Sequence, residues 1–189
     1  MRGDILMAPS LGYHIAKGGK SLMKMPMKIE TEMFAPCGMN CMVCYKHCHT
    51  KKTKQPCGGC MVESKGKPEH CRKCKIKDCV QSKGITYCYD CSDFPCKLIK
   101  NLEKSYNKRY SESLIENSRI VMQKGIPHLM EAHIQKYACP ECGGIISLHD
   151  KVCTECGKER KGNKSKIITR LTVNKKPLFG GTVFTRLTE

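Results

Sequence analysis

Twelve cysteines fall within sixty residues, at Cys37, Cys41, Cys44, Cys48, Cys57, Cys60, Cys71, Cys74, Cys79, Cys88, Cys91 and Cys96, and four more follow at Cys139, Cys142, Cys153 and Cys156. Thiols in closely spaced pairs and triplets can converge on a soft cation without a large hydrophobic core behind them, so all sixteen are read as metal ligands. Between 37 and 96 the larger apolar side chains number only twelve. That is too few to offset the entropy of ordering sixty residues at roughly 1.5 kcal/mol each, so cross-linking by metal is expected to supply the rest.

Disulfides are the rival reading, and the compartment decides between them. No charged start followed by a sustained apolar run and a small-residue cleavage site is present, since the run from Ile5 to Ala8 is short and ends at Pro9. No stretch reaches the roughly 20 apolar residues of a membrane span. The expectation is a cytoplasmic, membrane-free protein whose thiols stay reduced and bind metal. Sixteen thiolates on four dications would bring the formal net charge of +17 to about +9, leaving the protein basic.

The four later cysteines form two knuckles, Cys139-Pro-Glu-Cys142-Gly143 and Cys153-Thr-Glu-Cys156-Gly157. A glycine directly after each pair permits the positive φ with which such a turn folds back, and residues 145–149 can form a strand between the knuckles. This spacing reads as a zinc ribbon, closed by four thiolates and therefore structural.

The first twelve divide in two ways. As pairs they give 41/44, 57/60, 71/74 and 88/91 plus four single cysteines, the habit of structural zinc. As triplets they give 37/41/44, 71/74/79 and 88/91/96, leaving Cys48, Cys57 and Cys60 as remote fourth ligands, the manner of iron-sulfur ligation. Either division makes three tetrahedral sites. The C-x2-C-x4-C spacing recurs at an offset of seventeen residues, which suggests a duplicated small unit. The triplet 37/41/44 also matches the three-cysteine signature of radical S-adenosylmethionine enzymes, but the alternating strands and helices of their barrel do not follow it.

Between the two cysteine groups lie three amphipathic segments. Asp93 is expected to cap a helix with Pro95 in its first turn and Leu98, Ile99, Leu102 and Tyr106 on one face. Ser113 and Glu116 make a capping box for a second helix, which Gly125 stops. Pro127 opens a third, with Ile126, Leu129, Met130, His133, Ile134 and Tyr137 on its apolar face. His133 there is read as a hydrogen-bonded core histidine rather than a ligand.

The fold class that results is a small metal-stabilised α+β protein. A disordered leader spans 1–33, an irregular Cys-rich metal-binding domain 34–97, a short lobe of about three helices 98–137, a zinc ribbon 138–160 and a basic tail 161–189.

The run Ala35-Pro-Cys37-Gly-Met-Asn-Cys41-Met-Val-Cys44, followed by Cys57-Gly-Gly-Cys60, Cys71-Arg-Lys-Cys74-Lys-Ile-Lys-Asp-Cys79 and Tyr87-Cys88-Tyr-Asp-Cys91-Ser-Asp-Phe-Pro-Cys96, resembles the uncharacterised Cys-rich family catalogued as domain of unknown function 3795. Cys48 falls outside that pattern. The resemblance implies a small metal-binding fold of prokaryotes, many of them anaerobes, and no established activity.

The chain carries no G-x-S-x-G, H-E-x-x-H or phosphate-loop motif, and no catalytic residue is assigned. The function expected is a metal-binding protein with about four structural zinc ions supporting a surface for an unidentified protein partner. Two alternatives stand beside it. One is an iron-sulfur electron carrier or redox sensor, with [4Fe-4S] clusters in the 37–96 region. The other is a zinc-dependent nucleic-acid-binding module, drawn from Lys51, Lys52, Lys54, Lys65, Lys67, Arg72, Lys73, Lys75 and Lys77. Basic loops that merely balance the charge of the thiolates explain the same residues.

Overall fold

The computed structural model describes residues 23–49 and 55–160; the earlier leader, Lys51, Lys52, Lys54 and the tail with its expected strand over 167–173 lie outside the described residues. Helix dominates. The α-helical segments are α1 (Tyr45–Cys48), α2 (Glu69–Arg72), α3 (Lys75–Ser82), α4 (Lys97–Tyr110), α5 (Leu114–Lys124) and α6 (Ile126–Tyr137), and β pairing among the described residues is confined to isolated antiparallel bridges. Among the described residues the fold is mostly helical with little strand, for a local reason. The 145–149 segment sends its backbone bonds in several directions, with Ile146 N–H donating to Tyr137, Leu148 N–H to Val43 and Ser147 N–H to Val152, so no continuous ladder forms.

Helix boundaries follow side-chain chemistry in two of three cases. Ser113 caps α5 by accepting from the Glu116 N–H at 3.0 Å, and Gly125, at φ 84°, ends α5 and precedes α6, with Pro127 in the first turn of α6. Asp93 does not cap α4. It pairs instead with Lys83 at 3.1 Å, and the N-cap of α4 is Cys96. The start of α5 is capped a second time by Glu103 of α4, whose carboxylate accepts from the Leu114 and Ile115 N–H groups at 2.7 and 3.2 Å.

An apolar core runs through all the regions that the spacing had separated. Ala35, Met39, Val43 and Cys48 pack with Leu114 of α5, Tyr137 of α6, and Ile145 and Leu148 beyond it. A second cluster joins Ile29 and Phe34 to Val121, Leu129 and Met130. The 37–96 segment is therefore not held by ligation alone, because α5 and α6 bury the residues that flank its first cysteines. Part of the 23–33 stretch, placed by sequence in the leader, is packed as well. Lys24 bridges to Gly144, Met25 N–H donates to the Gly143 carbonyl at 2.8 Å, and Ile29 is 3% exposed.

Candidate metal centres

In the C-terminal set the sulfurs of Cys139, Cys142, Cys153 and Cys156 all lie within 4.8 Å of one another, with Cys139–Cys156 at 3.7 Å and Cys142–Cys153 at 3.5 Å. A tetrahedral ion with metal–sulfur bonds of about 2.3 Å needs sulfurs about 3.8 Å apart, so this set fits a single ion. Gly143 and Gly157 hold φ of 69° and 74°, and their N–H groups donate back to Cys139 and Cys153 at 2.8 and 3.1 Å. The knuckle turns thus form as the spacing predicts.

The first twelve cysteines are arranged differently. Cys37, Cys41, Cys44, Cys57, Cys60, Cys71 and Cys74 line one cavity of about 290 Å³, together with His47, His70 and His149 and with apolar surface from Met39, Leu102 and Tyr106. Cys79, Cys88, Cys91 and Cys96 line a second, of about 40 Å³. Among the described residues, no three ligand atoms outside the C-terminal set meet the same 4.8 Å convergence. Cys48 lines neither cavity; it is fully buried in the apolar core beside Ala35 and Leu148. The triplets 37/41/44 and 88/91/96 each stay together, whereas 71/74/79 is split between the cavities.

Local structure explains the placement. Cys41–Val43 and Cys88–Asp90 are single 3-10 turns, closed by Cys44 N–H to Cys41 and Cys91 N–H to Cys88 at 3.1 and 3.2 Å. Cys74 and Cys96 are the N-caps of α3 and α4.

Residues 33–101 match the family model described as a protein of unknown function (DUF3795). The matched span contains the cysteines of both cavities and ends before the C-terminal set. No curated protein and no solved structure matches the chain.

Electrostatics show what the thiols lack. Burial first, and neighbouring thiols second, push Cys37 well up, Cys88 to about 12 and Cys71 to about 11. Such a group of thiols cannot ionise together without added positive charge, which a bound metal supplies. Cys60 is drawn down to about 7 by a hydrogen bond with Cys41 and by Lys67 and Lys77. In the C-terminal set burial raises Cys139, but the N–H groups of Cys142 and Glu141 and the adjacent thiols more than offset it and bring it to about 7.

Several supporting residues carried no signal in the spacing. Lys67, 4% exposed, donates to the Cys60 carbonyl at 3.1 Å and to Glu63 at 3.2 Å, so a lysine singled out for nucleic acid is turned inward at the cavity. Glu63 also takes Arg72 and Lys77, at 3.3 Å each. Beneath the Cys37–Cys41 loop, the Asn40 side chain meets His133 Nδ1 at 3.2 Å and accepts from Met42 N–H, and Asn117 donates to the Gly38 carbonyl at 3.1 Å. Both lead to the buried Glu112, which accepts from Tyr137, Asn117 and Lys136. His133 is a hydrogen-bonded core histidine, as its apolar face suggested.

Proposed function

We propose that the 37–96 region holds iron-sulfur centres and that the protein carries electrons, with a separate structural zinc ion in a ribbon formed by the four C-terminal cysteines. The observation that carries this reading is the cavity of about 290 Å³, faced by seven cysteines without the convergence a single ion needs. In a [4Fe-4S] cluster each thiolate binds a different iron at the corner of a cube, so its sulfurs stand farther apart than those around one zinc. The C-terminal set, by contrast, has the spacing of zinc.

The sequence carries no G-x-S-x-G, H-E-x-x-H or phosphate-loop motif beside these cysteines, which favours electron transfer over catalysis. Lys46, Lys67 and Lys77 at the large cavity would offset part of the negative charge of a cluster. The test is purification without oxygen, followed by iron, sulfide and zinc analysis and a visible spectrum before and after dithionite. Iron and sulfide in equal amounts, a bleachable brown colour and about one zinc per chain are expected. A colourless protein with about four zinc ions and no sulfide would instead return the assignment to structural zinc beneath a partner surface.

A further inference from the structure

We propose that Cys79, Cys88, Cys91 and Cys96 are the complete ligand set of one metal centre, distinct from any centre of the seven-cysteine cavity. The proposal rests on the preceding reading only in that these thiols bind metal, and it holds for iron-sulfur and zinc alike.

The four come from both C-x2-C-x4-C units. Cys74 is the N-cap of α3, and Cys79 lies five residues further along, about 140° around the helix at 100° per residue. One end of the unit therefore faces the large cavity while Cys79 faces the small one. Cys88 and Cys91 are placed by the 3-10 turn 88–90, and Cys96 by the start of α4. Val80, Ile85 and Phe94 wall the small cavity with apolar surface. A local triplet completed by a cysteine from a neighbouring run is how two-cluster ferredoxins exchange ligands.

A further observation points to the same set. The Lys83 ammonium, also at this cavity, lies 3.1 Å from Cys91 Sγ, so a cation already donates to one of the four sulfurs. Cys71 and Cys74 line the large cavity and not this one. The Cys88 N–H donates to the Pro36 carbonyl at 2.9 Å, tying this centre to the loop that carries Cys37.

The experiment is stepwise removal of metal from the full-length protein under anaerobic, reducing conditions, with alkylation of the released thiols and mapping by mass spectrometry. Cys79, Cys88, Cys91 and Cys96 are expected to become reactive together, at a step separate from Cys71 and Cys74. In a parallel set, Cys79→Ser and Cys96→Ser should each lose the metal of one centre, and the double variant no more than either alone. Release of Cys79 together with Cys71 and Cys74, or additive losses from Cys79→Ser and Cys96→Ser, would overturn the proposal. If all the metal proves to be zinc, the iron-sulfur reading fails while the release pattern still decides the ligand set.

Discussion

In the C-terminal set Cys142 and Cys156 are each followed by a glycine at positive φ, while in the 37–96 region Cys44 and Cys74 are each followed directly by a helix. The same C-x-x-C spacing therefore gives two outcomes. Where the backbone reverses, two sulfurs and the N–H groups behind them aim at one point, and two such turns close on a single ion. Where it runs on into a helix, the sulfurs are left along the wall of a cavity. The residue after the second cysteine separates a knuckle for one ion from a loop that lines a larger site.

Several experiments can break or sharpen that contrast. The largest effect is expected for Cys142→Ser, which should release the C-terminal ion and unfold residues 138–160, since structural zinc contributes about 10–16 kcal/mol in isolated modules. Metal analysis should show one zinc lost and the iron kept; loss of both would mean that the two regions fold as one metal-dependent unit. Gly38→Ala acts on the other side. At φ 93° its new methyl would collide with the Leu114 carbonyl and stand 2.7 Å from Ser118 Oγ, so a cost of about 3 kcal/mol or more is expected, with loss of metal from the large cavity and retention of the C-terminal ion.

Acid should act on the same loop. Burial lowers His133 from 6.5 to about 4, so the unfolded chain takes up this proton first, and stability falls as pH drops from about 6.5 to about 4. The loss is on the order of 2–3 kcal/mol, and denaturation midpoints of His133→Gln should lack that slope. Glu112, held low mainly by Lys136 against its burial, stabilises the fold above its unfolded value and loses that contribution as pH falls through its folded one. The smallest effect is expected for Gly157→Ala. No atom lies within 4 Å of the added methyl, so only the strain of φ 74° remains, about 1–2 kcal/mol, read as a lower melting temperature with zinc still bound.

Much of this was legible in the chain. The two knuckles, the Ser113 start, the Gly125 stop and the burial of His133 are local chemistry, written within a few residues of where they act. Asp93 was misread because its competitor, Lys83, lies ten residues away and only tertiary folding brings it within 3.1 Å. The docking of residues 23–33 was hidden for a similar reason. Their partners, Gly143, Gly144 and α6, come more than ninety residues later, and a Met-rich stretch without period gives no sign of what it will cover.

Spacing by itself brought out, at the C-terminal end, the four cysteines that together could hold a metal ion, because a knuckle is closed by its own backbone. Only the tertiary structure decided which of the first twelve thiols share a cavity, sent Cys74 and Cys79 of one motif to different sites, and placed Cys48 in the apolar core. The reason is geometric: a helix turns each successive side chain by about 100°, so the direction in which a sulfur points depends on where the helix is docked, and for α3 that is set by packing against Ile99 of α4 and Ile115 of α5.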